Sequence, residues 1–429
     1  MRYLPVDSQI FSQNRKRFFS RLKPKSVAVF NSNDVMPTSA DGVRSFIQDA
    51  DFFYLTGIDQ EESVLVLCPE AREEKHREVL FVRETDEKTA VWEGQKYTRE
   101  EARKISGIEN VYWKGEFNQI FRGLVIESEH VYLNTNEHLR ADASVETRSD
   151  RFLKWCMESY PLHRYERAAP IMHRLRAIKS DLELELIKAA IGISGKAFRR
   201  VLGYIGPGVW EYEIEAELHH EFLMNRSRGP AYETIVASGV NACVLHYVKN
   251  NSQCKDGELV LMDFGAEYAN YISDLTRTVP VSGRFSSRQR DLYDAVLRIQ
   301  REAMKLLVPG TLFRDYNREV GYIVERELIG LGLLRVDDVK GQDPDAPLYR
   351  RYYMHGTSHF IGLNVHDVGD MAHPLDAGMV VSCEPGIYIR EEGIGIRLEN
   401  DILVTDNGPV DLTASIPIEA DEIEELMRR

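Results

Sequence analysis

The chain has 429 residues, 43% of them hydrophobic and 28% charged, with a formal net charge of −14. That length exceeds one ordinary core and argues for two domains, while the composition is that of a globular protein in water. The acidic balance argues against a nucleic-acid binder, and no apolar run approaches the roughly 20 residues of a membrane span.

The first segment, MRYLPVDSQIFSQNRKRFFSRL, has no secretory apolar region. Five cysteines (Cys68, Cys156, Cys243, Cys254 and Cys383) are scattered without CxxC spacing, which fits a reducing cytoplasm better than a disulfide framework. Residues 1–170 alternate short β-rich runs with helical patterns and predict an α/β domain. The expected strands are SVAVF (26–30), DFFYLTG (51–57), SVLVLC (63–68), EVLFVR (78–83), TAVWEG (89–94) and HVYLNT (130–135), with an amphipathic helix at TREEARKI (98–105). DFFYLTG reads as an aromatic-rich core strand, and Trp92 as a core residue or a subunit contact. A boundary falls between Pro161 and Lys179, so residues 171–429 form the second domain. There Ser180 and Glu183 have capping-box spacing ahead of a helical apolar pattern at Leu182, Leu186 and Ala190.

The second domain contains an internal repeat. Helices end at Gly206-Pro207-Gly208 and again at Val308-Pro309-Gly310, each followed by another helical stretch. The strand segments GELVLMD (257–263) and GMVVSCE (378–384) share glycine, valine and a terminal carboxylate in one frame. Each is followed by an antiparallel return carrying a second acid, Asp274 in the first block and Glu399 in the second. A hairpin centred between Tyr268 and Ala269 sets Asp263 opposite Asp274, with Cβ atoms roughly 5 Å apart. Either a bound cation resolves the repulsion of two such carboxylates, or one or both lie at an exposed hairpin end. In the second return strand, period two places Ile394, Ile396 and Leu398 on one face and Arg397 and Glu399 on the other.

Two such hairpins meeting face to face bring Asp263, Asp274, Glu384 and Glu399 together. About four positive charges, hence two divalent ions, are needed to balance them. Oxygen-rich ligation points to Mn²⁺, with Co²⁺ or Zn²⁺ also admitted. The segment MHGTSHFIGLNVHDVGD supplies His355, His359 and His366; the glutamate of HExxH is missing and Gly356 and Gly362 flank the pair, which argues against a zincin. One of these histidines is expected as a ligand and the others facing substrate.

The blocks SDLTRT, HGTSHFIGLNVHD, CEPGIYI and GIGIRLENDI resemble the pita-bread metallopeptidases, the family of methionine aminopeptidase, prolidase and aminopeptidase P. NACVLHYVKNN, MDFGAEYANYISDLTRTVPVSGRFS and LTASIP…DEIEELM are similar to the aminopeptidase P group in particular, and FIQDADFFYLTG to the domain preceding its catalytic half. The resemblance covers nearly the whole chain. It implies an α/β (α+β) fold, with a creatinase/aminopeptidase P-type domain before a pita-bread domain of pseudo-twofold symmetry. It makes Asp263, Asp274, His359, Glu384 and Glu399 the ligands of a dinuclear site. His246 and His366 match substrate- and intermediate-binding histidines, His355 lines the proline side, and Tyr388 and Arg397 hold pocket positions. The chain departs from the family at HYVKN, where HYTEN is frequent, and in a short loop between Ile389 and Gly393. The implied activity is release of the first residue from peptides with proline second, with Glu384 as general base and a homodimer or dimer of dimers as the assembly. Prolidase is the nearest alternative. Intact ligands argue against a creatinase-like hydrolase or a non-catalytic peptide-binding module.

Overall fold

The computed structural model describes residues 2–142 and 144–428. The chain divides into two compact units, the first spanning Tyr3–Arg176 and the second running from Ala177 onward.

The first unit is built on a six-stranded sheet. Its strands are β1 (Ser26–Asn31), β2 (Val64–Leu67), β3 (Glu78–Val82), β4 (Asn110–Trp113), β5 (His130–Leu133) and β6 (Arg164–Arg167). In space they run β4-β3-β2-β1-β5-β6, with β2 antiparallel to both neighbours and the remaining pairs parallel. Every residue of β1 and β2 is buried, which is why both read as continuous apolar runs rather than alternating ones. Helices α1 (Gln9–Phe19), α2 (Ala50–Thr56), α3 (Glu87–Trp92), α4 (Arg99–Ser106), α5 (Phe117–Glu127), α6 (Arg148–Ser159) and α7 (Ala169–Ala177) complete the series up to the division.

Two expected strands are helices. DFFYLTG forms α2: the Asp49 side chain accepts from Phe52 N, and Gly57 ends the helix at φ 67°. TAVWEG forms most of α3, where Asp86 accepts from Thr89 N. In both, an aspartate cap outweighs the β propensity of the aromatic and branched residues behind it. Trp92, expected in a core, is 79% exposed. β4 and β6 carry too little apolar alternation to stand out in the sequence.

The second unit begins with α8 (Asp181–Leu202), whose Ser180–Glu183 capping box is formed as the spacing predicts. Glu183 also accepts from the Tyr271 hydroxyl at 3.1 Å, tying the helix start to the first hairpin. The other helices are α9 (Glu211–Met224), α10 (Ser287–Lys305), α11 (Phe313–Gly330), α12 (Val336–Lys340) and α13 (Ala420–Leu426). The strands are β7 (Ile235–Ser238), β8 (Leu259–Phe264), β9 (Glu267–Tyr268), β10 (Tyr271–Ile272), β11 (Leu275–Pro280), β12 (Val380–Cys383), β13 (Gly386–Ile389), β14 (Ile394–Arg397), β15 (Asn400–Leu403) and β16 (Val410–Asp411). They form two three-stranded sheets, β11-β8-β7 and β12-β15-β16, and two short ribbons, β10-β9 and β13-β14. Leu259, Val260, Leu261 and Met262 are each at most 2% exposed, and burying such side chains contributes roughly 1.5–3 kcal/mol apiece.

The first hairpin differs from its expected register. Tyr271 pairs with Tyr268, so the turn is Ala269-Asn270, and both residues are left-handed at φ 53° and 64°. Its centre lies one residue further along the chain than expected, and Asp263 therefore stands opposite Thr276 rather than Asp274. Because the partner changes by two residues, Asp274 keeps the face of Asp263 and reaches it diagonally. Gly265 lies where β8 gives way to β9; a Cβ there would sit 1.9 Å from the Ser273 carbonyl oxygen.

Candidate metal centre

The two hairpins meet along β11. Glu399 N donates to Thr276 O at 3.1 Å, the Thr278 hydroxyl donates to Arg397 O at 3.1 Å, and Asp274 N donates to Asp401 Oδ2, also at 3.1 Å. In the second hairpin, Cys383 pairs with Asn400 and Gly386 with Arg397, which sets Glu384 across from Glu399. A third segment joins them. His359 N donates to Ser382 Oγ at 3.0 Å, Ser382 N to His359 O at 2.9 Å, and Glu384 N to Thr357 O at 2.9 Å. The histidine-bearing loop thus runs beside β12 like an extra strand and carries His359 to the junction.

Carboxylate and imidazole atoms of Asp274, His359 and Glu399 all lie within 4.8 Å of one another, and all three residues are buried. His359 Nε2 is 3.4 Å from Asp274 Oδ2 and 3.5 Å from Glu384 Oε1. Its Nδ1 donates to Phe360 O at 3.1 Å, which fixes the tautomer that leaves Nε2 free for a ligand bond. Glu384 is 19% and Asp263 15% exposed at the side chain, so these two face the opening of the cluster. The Tyr232 hydroxyl bridges Asp263, at 2.8 Å, and Asp274.

The electrostatics test the fit of a cation. Burial, with the neighbouring carboxylates, drives Glu399 well above the ordinary carboxylate range. Burial pushes Glu384 up to about 7 against the pull of His359 and Arg397. Asp263 is raised by burial despite its ion pair with Arg397. Burial works to lower His359, but Asp274 and Glu384 outweigh it and hold the ring at about 9. Four carboxylates share this space with one guanidinium and one imidazole, and anionic oxygens with an imidazole nitrogen, once a cation has displaced the proton the acids hold on His359, are the donors a hard or borderline divalent ion takes. The residues present fit a metal.

A polar wall adjoins the cluster. Arg397 donates to Asp263 Oδ2 at 2.6 Å, to the Tyr388 hydroxyl at 3.0 Å and to Thr276 Oγ1 at 3.2 Å. His355 Nδ1 lies 2.8 Å from Gly356 O, so the ring donates there and its Nε2 accepts from the Tyr388 hydroxyl at 2.8 Å. Burial first, then the charge of Arg397, pushes His355 down to about 3, so the ring is neutral. The His366 ring stands edge-on to His359 at 4.6 Å between centroids. His246 is exposed, in the loop after the short turn Gly239–Cys243, close enough for its charge to bear on His355. The structure therefore gathers all ten residues singled out in the sequence around one junction. Sequence reasoning passed over Tyr232, Ser382, Asp401 and Thr276, whose hydroxyl donates to Glu399 Oε2 at 2.6 Å. Thr276 had a signal, since it follows Asp274 by two residues and shares its face; Tyr232 precedes β7 and carries no local pattern.

Residues 185–406 match metallopeptidase family M24, and residues 11–132 match the N-terminal domain of aminopeptidase P. The Xaa-Pro aminopeptidase of Escherichia coli (strain K12) is 36% identical over 438 residues, covering 98% of each chain. Among solved structures, aminopeptidase PepP of Pseudomonas aeruginosa superposes with a TM-score of 0.89 at 32% identity, over 100% of this chain and 99% of the other. Zinc-substituted Escherichia coli aminopeptidase P in complex with product superposes with a TM-score of 0.87 at 35% identity, over 99% of this chain and 100% of the other. With residues 185–406 matching this family and its whole length matching these relatives, the chain belongs to metallopeptidase family M24, in the group that carries the aminopeptidase P N-terminal domain.

Proposed function

We propose that this protein is an Xaa-Pro aminopeptidase, releasing the N-terminal residue from peptides whose second residue is proline. The observation that carries the reading is the buried donor cluster of Asp274, His359 and Glu399, at the junction of duplicated hairpins, in a chain similar to Xaa-Pro aminopeptidases over its full length.

Asp263, Asp274, His359, Glu384 and Glu399 would hold two divalent ions, Mn²⁺ before Co²⁺ or Zn²⁺. Held by these residues, such ions would balance the carboxylates and would supply an acidified water and a Lewis acid for the scissile carbonyl. The protein's own groups do the rest. Glu384, facing the opening with a carboxyl raised to about 7, takes the proton of the attacking water and returns it to the leaving nitrogen. His246 and His366 donate to the oxygen on which negative charge develops. The neutral His355, held by Tyr388 and through it by Arg397, presents a ring to the proline side of the substrate. The free α-amino group of the substrate sits by the acidic cluster, which limits cleavage to one residue.

We further place the protein in the cytoplasm as a homodimer or dimer of dimers. The exposed Trp92 is a candidate subunit contact, and light scattering on a Trp92→Ala variant tests it.

The experiment is hydrolysis of Ala-Pro-Ala and Ala-Pro by the Mn²⁺-loaded protein, with Glu384→Gln as control. Release of alanine from the tripeptide, lost in Glu384→Gln, is the expected result. Cleavage of the dipeptide alone would make the protein a prolidase, and cleavage of neither would sink the enzyme reading.

A further inference from the structure

The first unit contains a cavity of about 620 Å³ that takes no part in the reaction described above. It opens where β1 ends and β2 begins, at the paired residues Asn31 and Val64, and is walled by Phe117, Phe152 and Trp155. The three rings lie 5.3–6.5 Å apart between centroids and form one aromatic surface. A volume of this size is that of a small-molecule site.

The charges at its rim are paired off with one exception. Lys114 pairs with Glu62, Arg151 with Asp34 at 2.7 Å, and Glu61 with Lys96 at 2.6 Å. Arg148, half-buried at the start of α6, has no carboxylate within ion-pair distance among the described residues; it donates to the Ser32 hydroxyl at 2.9 Å and turns the rest of its guanidinium to the cavity. Asn31 is a second unmet group. It is 5% exposed, lines the cavity, and its side-chain amide has no hydrogen-bond partner among the described residues. An amide without a protein partner and an unpaired guanidinium on one aromatic wall leave hydrogen-bond donors open to a ligand that enters the cavity.

We propose that this cavity binds a small aromatic monocarboxylate. Its carboxylate meets Arg148 and Asn31, and its planar body lies along Phe117, Phe152 and Trp155. The chemistry narrows the ligand class. A cation meets the guanidinium and is repelled. A dianion meets one free positive charge and three carboxylates (Asp34, Glu61 and Glu62) at the rim. A zwitterion finds no unpaired acid for its ammonium. A two-ring body fits the volume.

The test is calorimetric titration of the full-length, Mn²⁺-loaded protein with 2-naphthoate and, separately, with its neutral analogue 2-naphthamide. The expected result is one naphthoate per chain with Kd below about 1 mM, and naphthamide weaker by at least about tenfold. Arg148→Gln is expected to weaken naphthoate by a similar factor and Asn31→Ala by less, with hydrolysis of Ala-Pro-Ala unchanged in both. Equal binding of the two probes, no binding of naphthoate up to about 5 mM, or binding indifferent to Arg148→Gln each overturns the proposal. If Arg148→Gln lowers the melting temperature enough to prevent its use, the comparison of the two probes on the wild-type chain decides alone.

Discussion

Arg397 donates to Asp263 at 2.6 Å, so a guanidinium from the second hairpin neutralises a carboxylate from the first. Its other nitrogens reach Tyr388 and Thr276, which makes this one side chain the link between the acidic cluster and its polar wall. Arg397 is 4% exposed, and removing one partner of such a pair leaves an uncompensated charge. Arg397→Met is expected to lower unfolding stability by about 3–5 kcal/mol and kcat/KM by at least about a hundredfold. Arg397→Lys keeps the charge without the fork and should fall between. Denaturant unfolding and steady-state kinetics on Ala-Pro-Ala check both.

Thr276 is the most compact test of how the cluster is held in place. Its hydroxyl donates to Glu399 at 2.6 Å and accepts from Arg397. Thr276→Val keeps the shape and deletes both bonds. The expected outcome is a loss of about 1–3 kcal/mol in stability and roughly 10–100-fold in Mn²⁺ affinity. A competitive chelator titration reads the second number, and unchanged affinity would show that Glu399 needs no such support.

Gly265 is fixed by the approach of the Ser273 carbonyl, 1.9 Å from where a Cβ would stand. Gly265→Ala should cost at least about 2 kcal/mol and depress activity by moving Asp263 against Asp274. Gly330, at the exposed end of α11, has nothing within 4 Å of its Cβ position. Gly330→Ala should leave stability unchanged or raise it by up to about 1 kcal/mol. Thermal melts of the two variants side by side make the comparison.

The thiols should show a graded response to pH. Burial pushes Cys156 and Cys254 up to about 12, so both remain protonated at pH 8.5, where an ordinary thiol is about half ionised. Cys243 is the one cysteine that is not fully buried. Titration of the native protein with a disulfide reagent at pH 8.5 should modify Cys243 first, and the other four only after unfolding. Rapid modification of Cys156 in the native protein would contradict the packing of the first unit.

Much of the site was legible because chemistry that needs charge leaves charge in apolar strands. Asp263 ends LVLM and Glu384 ends VVSC, and a carboxylate at the end of a buried strand stands out in a linear sequence. His359 could not be separated from His355 and His366 by spacing alone, because the loop that carries it pairs with β12 only through tertiary contacts. The hairpin register was misplaced by the Ala269-Asn270 turn: asparagine favours the left-handed conformation Asn270 adopts, but Ala269, left-handed as well, gives no signal for it. In the first unit, aromatic and branched residues suggested strands where Asp49 and Asp86 start short helices. Those caps act through one hydrogen bond each and are easily outvoted by composition. Tyr232 was invisible, as a tyrosine before a strand has no pattern that distinguishes a carboxylate bridge from a core residue.

The central claim is that Asp263, Asp274, His359, Glu384 and Glu399 hold two divalent ions. Elemental analysis of manganese retained after loading and gel filtration tests it most directly, on the wild-type chain and on Asp274→Asn and His359→Ala. The account predicts two ions per chain in the wild type and at most one in each variant, with Ala-Pro-Ala hydrolysis falling in step. Fewer than two ions in a fully active wild type, or two retained in both variants, would contradict it.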